Sequence, residues 1–377
     1  MEVKDHQGVA FLGAGDNDTR VFGLIPAERA RRLATKAKLR PIEQVPATGD
    51  VIVADLGFTW DPAWLAHVRD HGGLAVTYRG RPVLVHCTDA DQVRAVIAAI
   101  GTGAPLPAGF DVQDAETDAS LYNATLRKRE DAYLVPLVPA AVRGIEKASY
   151  DASYKGVTDI LTLYLWRGVA FRLTRWAAYA RITPNMVTIV GIALCVWAFF
   201  LFWGGHFAAG LLVGLIFMVL DTVDGKLARC TGTSSEWGNI LDHGVDLVHP
   251  PFWYWAWGMG CAVPAWGLAF DTGEFWAIMV VLVAGYAMQR TIEGAFITSF
   301  GIHIHVWERI DSRFRLVTAR RNPNYILLLA SLIVLRPDWG LWWVAWWTML
   351  SCLFHLVRLV QAYAARAQGR EIMSWLV

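Results

Sequence analysis

The chain has 377 residues, room for two domains, and its 55% hydrophobic content, 19 tryptophans and mean hydropathy of +0.35 fit a membrane protein. A formal net charge of +1 gives no case for nucleic-acid binding, and no nucleic-acid partner is expected. The five cysteines, Cys87, Cys195, Cys230, Cys261 and Cys352, are scattered without a C-x-x-C pair, which argues against a disulfide framework or a zinc site.

In chain order, Met1 to His6 has no basic segment leading into an apolar one, so no cleaved signal peptide is expected. Residues 1–125 read as a small soluble α/β domain. Val51–Asp55 and Pro82–His86 suit strands, while Asp61–Asp70 and Asp89–Ile100 suit helices, the second opening on acidic residues that favour a helix amino end. Gly13-Ala14-Gly15-Asp16 invites a phosphate-loop reading but lacks both the full Gly-x-Gly-x-x-Gly pattern and Gly-Lys-Ser/Thr. Residues 126–157 read as a linker, charged at Arg127–Asp131. From Thr158 to Arg181, apolar Ile160, Leu161, Tyr164, Leu165, Phe171, Leu173 and Trp176 alternate with Arg167, Arg172, Arg175 and Arg181. That pattern suggests an amphipathic helix at the cytoplasmic membrane interface; its plainer alternative is a surface helix packed on the soluble domain.

Six hydrophobic segments follow, near 185–203, 207–228, 236–262, 273–300, 324–337 and 340–363. The fifth is short for a hydrocarbon core of roughly 30 Å. Placing residues 1–184 inside also puts Lys226, Arg229, the five arginines between His303 and Arg321, Arg366 and Arg370 inside, and leaves only Arg336 in the opposite loops. The positive-inside bias therefore predicts that both termini face the cytoplasm.

The second and third segments carry four carboxylates, Asp221, Asp224, Asp242 and Asp246. Each costs roughly 2.5–3.5 kcal/mol at membrane depth on insertion scales, so together they call for a cation or a watery cavity. On helices, Asp221 with Asp224 and Asp242 with Asp246 each share a face. Folding back at Thr231–Ser235 brings the pairs to matching depths, roughly 8–15 Å below the turn at about 1.5 Å per residue. Four such oxygen ligands suit hard divalent cations such as Mg²⁺ or Mn²⁺. One carboxylate is also a candidate general base, and spacing does not say which. Gly225 and Gly238 each weaken a helix by about 1 kcal/mol relative to Ala, so either a ligand approaches the backbone there or neighbouring helices pack tightly.

The complete pattern D-x₂-D-G-x₂-A-R-x₈-G-x₃-D-x₃-D, from Asp221 to Asp246, resembles the signature of the CDP-alcohol phosphotransferase family of integral-membrane enzymes. The likeness covers roughly residues 150–370. It implies that Asp221, Asp224 and Asp242 hold metal, with Asp246 shared between metal contact and base. It further implies that Gly225, Ala228 and Gly238 leave room for the cytidine diphosphate and that Arg229 holds the nucleotide. Pro184-Asn185-x-x-Thr188 is similar to the family's first-span motif, adding Asn185 and Thr188 near the nucleotide, although Pro-Asn is also ordinary helix-start chemistry. By arrangement and position, residues 1–125 resemble a degenerate nucleotidyltransferase of the kind fused ahead of this domain in some relatives, with a structural or assembly role.

Acceptor residues are read from charge. Arg290 lies three residues before Glu293 in an otherwise apolar segment, and Arg320 and Arg321 close the basic loop; these three, with the other arginines of the 303–321 loop, are candidates for an acceptor. The alternatives are a structural ion pair for Arg290 and topology anchors or lipid-headgroup contacts for the others. His243 and His249 flank the acid pair as packing residues.

The expectation is therefore a polytopic α-helical membrane protein with six transmembrane helices, an amphipathic interfacial helix and an N-terminal α/β domain, in the inner (plasma) membrane with its active-site mouth cytoplasmic. It would transfer a substituted phosphate from a CDP-alcohol, such as CDP-diacylglycerol or CDP-inositol, to an acceptor hydroxyl, releasing CMP, with two Mg²⁺ or Mn²⁺ ions. Donor, acceptor and membrane lipid are the expected partners, together with a second copy as a homodimer. The rivals are a carboxylate-lined cation transporter and a non-catalytic scaffold.

Overall fold

The computed structural model describes residues 8–47, 49–123, 128–154, 156–266 and 270–376; within these, the side chains of residues 122–123, 128–130 and 242–243 lie outside the described set. Two units divide the chain: Met1–Tyr154 with Thr174–Ile182 and Lys226–Ser234, and Lys155–Leu173 with Thr183–Gly225 and Ser235–Val377.

The first unit is built on a mixed sheet. In chain order its elements are β1 (Ala10–Ala14), α1 (Pro26–Lys36), β2 (Arg40–Pro41), β3 (Val51–Asp55), β4 (Phe58–Trp60), α2 (Pro62–Asp70), β5 (Leu74–Tyr78), β6 (Arg81–Cys87), α3 (Ala90–Thr102), β7 (Asp111–Asp114), β8 (Ser120–Asn123), β9 (Lys128–Asp131), β10 (Leu134–Pro136) and α4 (Val142–Ala152). Six strands run in the order β2-β1-β3-β6-β5-β7, with β1 parallel to β2 and β3, β6 antiparallel to both neighbours and β7 parallel to β5. The strand β3 is apolar from Val51 to Ala54 because both faces of the sheet are covered: Ile52 and Ala54 pack with Ala30, Leu33, Trp64 and Val68 of α1 and α2, while Val51 and Val53 pack with Val93, Val96 and Ile100 of α3. Side-chain caps start both predicted helices, Asp61 accepting from Ala63 N at 2.9 Å and Asp89 from Gln92 N at 2.8 Å.

Residues 126–157, read as linker, contain ordered elements. The strand β10 pairs antiparallel with β4, and Ile145 and Tyr150 of α4 are buried. Glu146 of α4 is fully buried and accepts from Phe22 N (2.8 Å), Arg175 Nε (2.5 Å) and Tyr179 OH (2.8 Å). In the same unit Lys226 Nζ donates to the Ser153 carbonyl at 3.0 Å and lies 3.1 Å from the Tyr154 ring centroid.

The remaining helices are α5 (Arg167–Tyr179), α6 (Pro184–Trp203), α7 (Phe207–Thr231), α8 (Glu236–Cys261), α9 (Thr272–Phe300), α10 (Arg309–Arg315), α11 (Arg321–Ile333) and α12 (Pro337–Ala367). In the second unit α6 packs on α8, α9 on α12 and α11 on α12. The continuous amphipathic helix expected over 158–181 is broken: a π-helical turn at Leu161–Leu165 ends at Trp166, and α5 begins after it. The cause is anchoring. Trp166 is buried with its Nε1 donating to Thr222 Oγ1 at 3.1 Å, and Asp159 ties back both the N–H and hydroxyl of Thr162.

Among the described residues four helices, α6, α7, α9 and α12, are long and apolar enough to cross a membrane. The other two predicted segments are helices of different character. Glu236, Asp242 and Asp246 interrupt the apolar sequence of α8, and the 13 residues of α11 extend about 20 Å at 1.5 Å per residue. Small residues let the helices approach: a Cβ on Gly260 of α8 would lie 2.0 Å from the Phe202 carbonyl of α6. All five cysteines are free and buried.

Candidate functional site

The first helix of the site is set by its cap. Thr183 accepts from Met186 N, Pro184 occupies the first turn, and Asn185 and Thr188 then share a face. Thr188 Oγ1 donates to Asp224 Oδ2 at 2.6 Å, short for a hydroxyl and typical of a charged acceptor. Asp224 is 4% exposed and also accepts from the Gly225 N–H. At the start of α8, Ser235 accepts from Gly238 N at 3.0 Å, and a Cβ on Gly238 would meet Asn185 Oδ1 at 2.9 Å. The close approach anticipated at Gly238 is thus made by the Asn185 side chain.

Asp221 and Asp246 meet on a single cation. Arg321, the first residue of α11, donates Nη2 to Asp221 Oδ2 at 2.7 Å and Nη1 to Asp246 Oδ1. Phe217 lies beneath the guanidinium, 5.3 Å from ring centroid to Cζ. The Asp246 side chain is 44% exposed and that of Asp221 15%, so Asp246 is the more accessible of the two. Tyr286 OH donates to the Asp246 carbonyl at 3.5 Å.

These positions match the expected pairing of depths for Asp221 and Asp246. Asp224 engages Thr188, and the Asp242 side chain lies outside the described residues. Among the described residues no three His, Cys, Asp or Glu side chains are grouped to hold a metal ion. The donor chemistry nevertheless suits a hard divalent cation: two carboxylates from separate helices already close on one positive group, with Asp224 a single turn from Asp221. Ala228 and Arg229 occupy the last turn of α7, where the Ala228 carbonyl accepts from Thr233 N at 2.9 Å.

A second charged group gathers around Glu293. Its Oε1 takes Arg290 Nη2 at 2.9 Å, Arg320 Nη2, and His305 Nε2 at 3.2 Å. Arg290 Nε, Arg315 Nη1, Arg320 Nε and both His355 ring nitrogens are buried without a hydrogen-bond partner among the described residues. Burial, then the neighbouring Arg320, pushes the Arg315 guanidinium down, against the pull of Asp159 and Glu293. Of the arginines proposed from sequence, Arg290, Arg320 and Arg315 of the basic loop join here, whereas Arg321 joins the aspartates. His305 went unrecognised as a member; its one signal was position within the same basic loop. His249 packs against Phe217 and Trp253, as expected of a packing residue.

Residues 181–353 match the CDP-alcohol phosphatidyltransferase family. Cholinephosphotransferase 1 of Gallus gallus is 31% identical over 130 residues, 31% of this chain and 37% of that protein. Archaetidylinositol phosphate synthase of Pyrococcus horikoshii is 36% identical over 80 residues, 20% of this chain and 41% of that protein. The matches span about a third of the length of the first cholinephosphotransferases. A solved Mycobacterium tuberculosis phosphatidylinositol phosphate synthase, in complex with manganese and citrate, superposes with a TM-score of 0.40 at 18% identity, covering 50% of this chain and 88% of its own. Residues 181–353 thus carry both the match to the CDP-alcohol phosphatidyltransferase family and the unbroken aspartate signature between Asp221 and Asp246.

Proposed function

We propose that this chain is a membrane-embedded CDP-alcohol phosphotransferase acting in phospholipid or related phosphodiester synthesis. The acceptor oxygen forms a bond to the β-phosphorus of the CDP-alcohol, the bridging P–O bond breaks, and CMP leaves. Asp221, Asp224, Asp242 and Asp246 are the residues to hold one or two Mg²⁺ or Mn²⁺ ions. When bound, such ions offset charge on the diphosphate oxygens. Asp246 is the general base, a role supported by its greater exposure beside the better-shielded Asp221. Asn185, Thr188, Gly225, Ala228, Arg229 and Gly238 form the nucleotide side, and Thr188 fixes the orientation of Asp224. Arg290 and Arg320, with Arg315, form the acceptor side.

The observation that carries this reading is the convergence of Asp221 and Asp246 from α7 and α8 on one positive group. The relatives' names support a polar alcohol or its phosphate ester on one side of the reaction. In the bilayer, α8 and α11 complete six spans beside the four apolar helices, with both termini and the site's mouth at the cytoplasmic face of the inner membrane. Residues 1–125 serve assembly, and the enzyme works as a homodimer.

The test is CMP release by purified protein given a panel of CDP-alcohols and acceptors, with Mg²⁺, Mn²⁺ or EDTA. Cation-dependent CMP release with a new phosphodiester in the mass spectrum is expected. Cation flux into liposomes without CMP release would establish a transporter instead, and absence of both would leave a scaffold.

A further inference from the structure

We infer that Arg321 is a built-in counter-cation of the acid cluster, competing with divalent metal for Asp221 and Asp246. This rests on the metal reading above and adds a means of regulating that site. The two nitrogens of one guanidinium fork each take a different aspartate, one from α7 and one from α8. A dication shared by the same oxygens would occupy the space between them, so it and the fork exclude each other. Charge points the same way: a dication brings the two carboxylates one more positive charge than the guanidinium does.

The surroundings allow the exchange. Asn322, next in the chain, is tied by Nδ2 to Thr162 Oγ1 at 3.2 Å, which holds the backbone at the start of α11. Arg320 before it is extended, with φ −134° and ψ 173°, and directs its own guanidinium to Glu293. Arg321 Nε donates to Asn322 Oδ1 at 3.1 Å, a contact that exchange of the fork must either keep or break. The face of Phe217 gives the guanidinium a cation–π contact that does not depend on either carboxylate. Its planar fork, once released, suits the paired oxygens of a phosphate. Arg321 is in this sense a positioning residue: it keeps two like charges together until metal arrives.

Mn²⁺ binding to the full-length purified protein, followed by electron paramagnetic resonance of free Mn²⁺, tests the competition. Arg321→Gln is expected to bind Mn²⁺ at least about 10-fold more tightly than the parent, and to unfold at lower temperature in EDTA with the loss recovered by Mn²⁺. Arg321→Lys, whose compact ammonium cannot fork, is expected to fall between them. It carries the test alone if the glutamine variant fails to fold. Arg336→Gln, on an arginine that pairs with Asp338, is expected to bind as the parent does. Unchanged or weaker Mn²⁺ binding in a folded Arg321 variant would overturn the competition while leaving the metal reading standing; equal tightening by Arg336→Gln would overturn it as a nonspecific charge effect. A parent protein that binds no Mn²⁺ would overturn both.

Discussion

Replacing Thr188 with Val removes one hydroxyl and keeps the shape of the side chain. That hydroxyl donates to a carboxylate only 4% exposed, at 2.6 Å. A hydrogen bond to a charged group contributes about 1.5–3 kcal/mol, and a buried acceptor left without its donor loses about that much. Because about 1.4 kcal/mol corresponds to a factor of ten, the loss amounts to roughly 10- to 150-fold in whatever equilibrium depends on Asp224 being held in place. If Asp224 is a metal ligand, that equilibrium is cation binding. CMP release titrated with Mn²⁺ is therefore expected to require at least about 10-fold more cation in Thr188→Val, whereas Thr188→Ser, which keeps the donor, stays within about threefold of the parent. The loss should appear in the Mn²⁺ requirement before the rate at saturating Mn²⁺. Equal Mn²⁺ requirements for the valine, serine and parent proteins would refute the assignment of Thr188 as the residue that orients Asp224.

Asp246→Asn should lower CMP release by about 10²–10⁴ while CDP-alcohol binding, followed by calorimetry, persists; a rate within tenfold of the parent would move the base elsewhere. Arg358 forks onto Asp311 at 2.6 and 2.8 Å, and Asp311 is 2% exposed, so Arg358→Met should cost about 3–5 kcal/mol in denaturant unfolding. The pair Arg358→Met with Asp311→Asn should recover most of that loss, and strict additivity would show that the buried charge was not the cause. Gly260→Ala should prevent close packing of α6 on α8, since its Cβ would meet the Phe202 carbonyl, and should cut the yield of folded protein; normal yield and melting temperature would refute the contact. His305 lies between α9 and α10, where burial, countered by its hydrogen bond to Glu293 and reinforced by Arg320, holds its imidazole well below the ordinary range. It stays neutral when folded while the unfolded chain takes up a proton below about pH 6.5. Stability should then fall as pH drops through that value, by at most about 1.4 kcal/mol per pH unit, with a shallower slope in His305→Gln. Equal slopes between pH 7.5 and 5.5 would refute it.

The elements were legible where the information is local. The apolar run from Val51 to Ala54, the helices opening at Asp61 and Asp89, and the Pro184-Asn185 start of α6 are written within a few residues. The site was half legible. Spacing about the Thr231–Ser235 turn anticipated that Asp221 and Asp246 would meet, because a helical hairpin converts sequence separation into depth. The same spacing paired Asp224 with Asp242, whose side chain lies outside the described residues, and did not foresee the α6 hydroxyl that Asp224 accepts.

Composition, helical period and the unbroken aspartate signature determined a largely apolar helical domain carrying four acidic side chains, because these depend on neighbours within one or two turns. Tertiary structure alone decided which cation closes on the acids. Arg320 and Arg321 are adjacent and identical in kind, yet one reaches Glu293 and the other Asp221 and Asp246, since successive residues at a helix start point in different directions. It also decided the break at Trp166, where a long-range hydrogen bond to Thr222 outweighs a helical pattern that is locally continuous.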